Sequence, residues 1–439
     1  MKGKKLLLSA GLLIAAAYAS AQQMDITLEK AIEIALAENP TIKVADKDIE
    51  LKKVADTQAW QALLPEVTAT GSIQHTLLAA EMNLGGNKFK MGKDNTNTAA
   101  LVGNLSLPLF APSVYQNMKL TKDDILLAQE KARSSRLDLI NQVTKAYYQL
   151  LLAQDSYLVM QESYKISKEY YDVVAAKFEV GRVSEYDKIS AEVQMRSMNS
   201  SMVSAETGLT LAAIQLKVLM GITTDIDLHV ADKLENYENG LLLPSIDGDE
   251  AELANNSTMR QFDLNRSLME RSLKIQRTGF MPTVSFLLTG QYQSLYNDNW
   301  SIWDYDWSPS ASFTLSVSIP IFKASNWTKI KTAKIQLAQL EDSRANTRQQ
   351  LSMAIDSYRN NMASSIAQVN SNKQAIVQAD KAVTIASTRY DVGRGTILEL
   401  NQSEVALTQA KLTYHQSIYD YLRNKAELDY TLGRETYLK

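Results

Sequence analysis

The chain is written twice. Leu107, Pro108, Leu109 and Phe110 recur as Ile319, Pro320, Ile321 and Phe322, 212 positions later. Phe178, Glu179, Val180, Gly181 and Arg182 recur at the same spacing as Tyr390, Asp391, Val392, Gly393 and Arg394, and Met220-Gly221 recurs as Leu432-Gly433. Upstream, Leu64-Pro65 answers to Met281-Pro282 and Asn39-Pro40 to Asn256-Ser257, both at 217, so the first copy carries five extra residues between its proline anchors. A duplication of this length binds both halves to one path and rules out a chain of unrelated small domains. The first repeat is read as residues 22–221 and the second as 257–433. A linker with Gly240, Pro244 and Gly248 spans 222–256, and a short tail spans 434–439.

Each copy has the same order of elements. A helix of moderate length comes first, Thr41 to Leu64 and Ser257 to Met281, and proline stops it. Two segments of period 2 follow, forming hairpins over about 65–110 and 282–322. Val67, Ala69, Gly71 and Ile73 alternate with Thr68, Thr70, Ser72 and Gln74; Phe313, Leu315 and Val317 alternate with Thr314, Ser316 and Ser318. Such strands have one apolar face and one small, uncharged polar face. A soluble sandwich with a wetted face gives the same alternation. Strand length of about 10 residues and aromatics crowding both strand ends favour a transmembrane barrel. Phe110, Phe322 and Trp327 mark one membrane interface, and Tyr292, Tyr296, Trp300, Trp303 and Trp307 lie towards the other. The loops Leu78 to Asn97 and Gln293 to Ser308 are long and polar or aromatic.

Each copy then turns helical. Ser113 to Val180 and Lys323 to Val392 contain neither Gly nor Pro. Straight helices of that length reach about 100 Å. Beyond the Gly-Arg turns the chain stays helix-compatible to Gly221 and Gly433, which gives two long helical hairpins, about 113–220 and 323–432. Ile330, Ala333, Leu337, Leu340, Thr347, Leu351, Ala354 and Tyr358 follow a 3-4 spacing that Arg344 interrupts, as in coiled-coil pairing. Carboxylates scattered along these helices read as wetted faces.

The first 21 residues read as a secretory signal. Lys2, Lys4 and Lys5 precede an apolar run from Leu6 to Ala17, and Ala19-Ser20-Ala21 forms a small-residue cleavage site. Cleavage before Gln22 removes the three lysines and takes the net charge from −3 to −6. No other run of 18 apolar residues suggests a membrane-spanning helix. The acidic balance argues against nucleic acid as a partner. The chain has no cysteine, and His75, His229 and His415 lie far apart, which excludes thiolate chemistry and offers no metal-ligand spacing. No phosphate loop, Ser-His-Asp order or cofactor fingerprint is present, so no enzyme activity, cofactor or metal is expected. Four strands cannot close a barrel, since the smallest closed ones have about eight. Three copies supply 12, enough to enclose a watery lumen that the helices extend away from the membrane.

With these features the chain resembles the TolC-like outer-membrane efflux proteins. The carriers are the duplication, the Leu-Pro-Leu-Phe and Ile-Pro-Ile-Phe strand ends, the Val-Gly-Arg turns and the segment Leu28 to Pro40. The resemblance implies an α+β membrane fold: a homotrimeric tube whose 12-stranded β-barrel, four strands per chain, is continued by a long α-helical barrel. It implies the outer membrane, its lipid, a periplasmic adaptor and an inner-membrane pump as surroundings. The function it implies is that of a duct for tripartite efflux or type I secretion. It places adaptor contacts at Gly181, Arg182, Gly393 and Arg394, and a pore gate at Glu399 and Gln402. It places a closed-state lock at Tyr390 and Asp187 with Arg394 nearby, although the family's arginine aligns with Gly395. A different class of protein, a periplasmic coiled-coil spacer or surface interaction protein without channel activity, shares the helical pattern but not the aromatic-ended strands.

Overall fold

The structure is a computed structural model and describes residues 24–85, 87–223, 228–243 and 253–434. The expected leader, its cleavage point, residues 224–227 and 244–252 of the linker and the tail beyond 434 lie outside the described residues. In chain order the elements are β1 (Met24–Asp25), α1 (Leu28–Glu38), α2 (Pro40–Gln61), β2 (Glu66–Thr76), β3 (Ala80–Leu84), β4 (Asn87–Met91), β5 (Thr96–Phe110), α3 (Pro112–Glu179) and α4 (Glu185–Met220). There follow β6 (Leu228–His229), a 3-10 turn (Leu234–Gly240), α5 (Ser257–Thr278), β7 (Thr283–Asn297), a second 3-10 turn (Ile302–Asp304), β8 (Ser308–Ser318), α6 (Ala324–Asp391) and α7 (Ile397–Thr431). Contacts divide the chain into two units.

The unit made of Asp48–Gln129 and Phe262–Ser343 holds the main sheet. Its strands run in the order β2-β5-β7-β8, every pair antiparallel. Residues directly opposite one another share a face, so the register decides what each face is made of. Val67, Leu105, Leu288 and Phe313 form one row across all four strands. Ala69, Gly103, Gly290 and Ala311 form the next, and Leu107, Phe286 and Leu315 another. On the other face Thr68, Asn104, Thr289 and Ser312 align, and the Thr289 hydroxyl donates to Asn104 Oδ1 at 2.9 Å. The apolar face is uncovered within the unit: Val67 is 73 % exposed and Phe313 74 %. The register shifts between Pro108 and Phe110, a bulge that accommodates a proline without a ladder N–H. Near that end, Phe110 packs towards Tyr115 and Trp327 packs edge-on against Phe280, while Phe322 is exposed.

The loop between β2 and β5 is itself structured. β3 and β4 form a small antiparallel hairpin in a segment that the sequence presents as a long polar loop. Gly85, at φ +62°, turns it. In the second loop Trp300 stacks on His75, and the Tyr305 hydroxyl donates to the Asn299 carbonyl at 2.7 Å.

The other unit holds the described residues of Met1–Lys47, Glu130–Gln261 and Arg344–Lys439. In α1, Leu28, Ala31, Ile32 and Ala35 lie on one helical face and are buried. They join a core with Val143, Tyr147 and Leu151 of α3, Leu216 and Met220 of α4, and Ile418, Tyr421 and Leu422 of α7. β1 pairs in parallel with β6, which ties the start of the described chain to the linker. The linker also meets α3 and α7: Leu234 N–H donates to buried Asp155, and His415 Nδ1 lies 3.5 Å from the same carboxylate. Helix α4 is long and apolar enough to cross a membrane by length and composition alone, although its sequence is not a continuous apolar run.

The duplication explains a matched pair of joints in this unit. Asn39 Nδ2 donates to the Leu219 carbonyl at 2.8 Å, and Asn256 Nδ2 donates to the Thr431 carbonyl at 2.6 Å. Each latches the start of a repeat to the last turn of its closing helix. Gly221 and Gly433 end those helices at φ +72° and +63°. A Cβ on Gly433 would lie 2.2 Å from the Asn255 carbonyl oxygen, so the position rejects a side chain on two grounds. The left-handed conformation alone costs alanine about 1–2 kcal/mol. Gly433→Ala is therefore expected to lower the thermal midpoint of the purified protein by circular dichroism; an unchanged midpoint would show that the joint yields freely.

Candidate functional site

The two hairpin turns are built alike. Gly181 ends the α3 segment at φ +70° and Gly393 ends the α6 segment at φ +73°. Arg182 N–H donates to the Lys177 carbonyl at 2.9 Å and Arg394 N–H to the Arg389 carbonyl at 2.8 Å. This six-to-one bond is the Schellman closure, which satisfies carbonyls a helix end leaves free. The next helices begin with capping boxes: Ser184 with Asp187, and Thr396 with Glu399. In each box the hydroxyl accepts from the third helical N–H and that residue's carboxylate accepts from the cap N–H. Asp187 and Glu399 thus occupy the same position in the two copies. The Ser-x-x-Asp and Thr-x-x-Glu patterns are legible in the sequence and give Asp187 and Glu399 a capping duty beside the lock and gate roles that the resemblance implies.

A small core joins the hairpins at this end. Val174, Ala191, Ala386, Ile397 and Leu400 are buried together, with Tyr170, Tyr171, Val183 and Tyr390 packed against them. Lys177 crosses between hairpins: its Nζ lies 3.3 Å from Asp391 Oδ1 and 5.2 Å from the Tyr390 ring centroid. Tyr170 Oη donates to Ser387 Oγ at 3.4 Å. Neither Lys177 nor Tyr170 was singled out from sequence, because a cross-hairpin pair leaves no signature in local spacing.

The expected lock is only partly assembled. Tyr390 Oη is buried and has no hydrogen-bond partner, so no bond joins it to Asp187. Asp187 Oδ2 is held instead by the Ser184 hydroxyl at 2.8 Å. Burial, then the nearby carboxylates of Asp187 and Asp391, raise the Tyr390 hydroxyl above its ordinary pKa, so the aspartate is close without being bonded. Arg394 is exposed and accepts, through its carbonyl, from the Arg389 guanidinium at 3.3 Å. A side chain at Gly395, where the family's arginine aligns, would begin 3.1 Å from Arg389 Cβ and from the Tyr390 amide nitrogen, a tight fit that asks its neighbours to shift by a few tenths of an ångström.

Of the two gate residues, Glu399 is exposed and lies 3.7 Å from Arg389, while Gln402 is exposed on the same helix. Around the turns Val180 and Val392 are exposed beside Gly181, Arg182, Gly393 and Arg394, giving an uncovered apolar and basic tip. The carboxylates on the helices are not uniformly wetted, contrary to the reading from sequence. Glu130, Asp155 and Glu404 are buried where helices meet. Glu130 is reached by the Ser257 hydroxyl at 2.6 Å and by Arg133 at 2.8 Å. Glu404 Oε1 has no partner, and burial alone pushes that carboxyl up to about 7.

A family model described as outer membrane efflux protein matches residues 31–222 and 250–434, two stretches that follow the two repeats. The chain belongs to the outer membrane efflux protein family. It is 23 % identical over 411 residues to the outer membrane protein TolC of Escherichia coli K12, covering 90 % of this chain and 80 % of that one. Among solved structures, a membrane protein from Pseudomonas aeruginosa superimposes with a TM-score of 0.76 at 15 % identity, covering 94 % of each chain. The open-state MtrE outer membrane channel of Neisseria gonorrhoeae does so with a TM-score of 0.71 at 18 %, covering 92 % of this chain and 88 % of that one. The fold is thus the TolC-like one expected from the duplication, with a four-stranded sheet and long helical hairpins. With the family come an outer-membrane location, a role in efflux and a class of channels, not enzymes.

Because the Tyr390 hydroxyl satisfies nothing, its removal should be harmless to packing. Tyr390→Phe is expected to leave the thermal midpoint unchanged or raise it by the equivalent of about 1 kcal/mol, the cost of one unsatisfied buried group. Lys177→Ala should speed limited proteolysis at the 180–184 and 392–396 turns, read by mass spectrometry. Equal cleavage rates in that variant and the parent would remove Lys177 as the clasp.

Proposed function

We propose that the chain is one third of a homotrimeric duct that carries substrates from an inner-membrane pump and periplasmic adaptor across the outer membrane. The observation that carries this reading is the apolar face of the sheet, two of whose rows cross all four strands and a third three of them, and which lies uncovered within the unit. Such a face suits lipid, and the opposite face, mostly Thr, Ser, Asn and Gln with Leu287 and Val102 among them, suits a watery lumen. Among the described residues β2 and β8 each have one unpaired edge. In hydrocarbon, unpaired backbone groups cost several kcal/mol each, so the edges call for further strands. Three copies close the sheet at 12 strands. Leu211, Ile214 and Val218, exposed along α4 at 3-4 spacing, supply an apolar stripe for a neighbouring copy to cover.

The tips are read as the adaptor-facing end. Gly181, Arg182, Gly393 and Arg394 shape two turns that present apolar and cationic groups without internal partners for Val180 and Val392. The gate is read as a ring of Glu399 carboxylates with Gln402 beside it. Arg389 at 3.7 Å offsets part of that negative charge within each chain. The lock is read as Lys177 clasping Asp391 and Tyr390, with Asp187 held nearby and Arg394 at the turn. Phe110, Phe322 and Trp327 serve as the interfacial aromatics, and cleavage of the leader near Ala21 precedes delivery. Both tripartite efflux and type I secretion use such a duct; the pump, and not the tube, sets the cargo.

Purified protein should cross-link as a trimer and conduct ions in a planar bilayer; a monomer that conducts nothing would instead favour the coiled-coil spacer. A narrow carboxylate ring favours cations. Glu399→Gln is expected to lower the cation-to-anion permeability ratio measured from reversal potentials in a salt gradient, and Arg389→Ala to raise it. Lys177→Ala, which removes the contacts to Asp391 and the Tyr390 ring, should increase single-channel conductance. Conductance identical to the parent would eliminate the lock.

A further inference from the structure

A cavity of about 410 Å³ lies among the four long helices, back from the tips. Tyr170 and Val173 of α3, Met198 of α4, Val383 of α6 and Leu407 of α7 give it apolar walls. Its size falls within the usual range for small-molecule sites, about 300–1,000 Å³. One wall carries the Glu404 carboxyl, which is 8 % exposed and whose Oε1 has no hydrogen-bond partner. Gln194 on α4 leaves its Nε2 likewise unsatisfied. Three other polar groups of the lining are engaged elsewhere. Ser163 and Thr408 bond each other at 2.7 Å, and Lys411 is committed to Glu162 at 2.8 Å. The remaining charged groups on the lining, Glu169 and Asp380, are acidic and add negative potential.

We infer that this cavity is a binding site for a small amphipathic organic cation, whose ammonium pairs with Glu404 and whose hydrocarbon body fills the apolar walls. An unpaired buried carboxyl lacks a cation, and every cation on the lining is taken. Tyr170 adds an aromatic face that favours a cation over a neutral body. The four walls belong to four helices, so a molecule seated there binds only where those helices are apposed and favours that arrangement over any that parts them.

Proton linkage gives the site a signature. The neutral Glu404 carboxyl must release its proton to the buffer before it can pair with an ammonium. Its pKa is pushed up to about 7 by burial alone. Cation affinity should then rise about tenfold per pH unit below 7 and level off above it.

The test uses the intact protein in detergent and isothermal titration calorimetry from pH 5 to 8. The probe is phenethylamine, which stays protonated over that range, and 2-phenylethanol is the uncharged control. Phenethylamine should bind with the rising profile, while the alcohol binds more weakly and without pH dependence. Glu404→Gln should cost at least tenfold in amine affinity at pH 8 and flatten the profile. Leu407→Trp, which fills the cavity and keeps the carboxyl, should abolish both ligands. The proposal is overturned if the parent shows no saturable amine binding at pH 8. It is equally overturned if Glu404→Gln keeps the parent's affinity and slope, or if Leu407→Trp leaves binding intact. None of these readouts depends on conduction, so the site and the duct stand or fall separately.

Discussion

The register between β5 and β7 is the constraint on which the rest depends. It is where the two repeats meet in one sheet: β5 closes the first copy's strands and β7 opens the second's. Leu105 opposite Leu288 and Gly103 opposite Gly290 keep the apolar rows of both copies on one face. A slip of one residue would turn a whole set of side chains to the wrong side. The five residues by which the first copy is longer lie between its proline anchors, in a stretch that includes the β3–β4 hairpin. The paired strands thereby keep their register despite unequal loops.

The fold was legible in the sequence because its signals are long and repeated. Two stretches without Gly or Pro permit α3 and α6, and alternation over 10 or more residues defines the strands. The hairpin within the first loop escaped that reading. Its signal, a Gly-Gly pair between short segments with Met82, Leu84, Phe89 and Met91, is brief, and Lys88 and Lys90 made the loop look merely polar. The tips show the sharper limit. Turn glycines are visible as residues, but the partners of a side chain across two hairpins depend on how the hairpins dock. Lys177 and Arg389 look like ordinary surface cations in sequence, and Glu404 like any carboxylate on a wet helix. Only packing separates the buried one from the rest.

The duplication also shows how one position acquires two surroundings. Asp187 and Glu399 fill the same capping role, but Asp187 sits near the Tyr390 hydroxyl and Glu399 near the Arg389 guanidinium. Helix initiation accounts for a carboxylate at both places before any channel role is invoked. Whatever either does in gating is added to a structural duty, so neutralising one disturbs a helix start as well as a charge. The latching pair Asn39 and Asn256 shows the opposite case, in which both copies keep one geometry for one task.

The open borders of the four-stranded sheet set an order of events in biogenesis. A lone chain that entered the bilayer would strand the outer backbone groups of β2 and β8 in hydrocarbon, where nothing can hydrate them. For the duct proposed above, escape from water then waits for company, and lipid becomes a tolerable solvent only once the last seam between sister chains has closed.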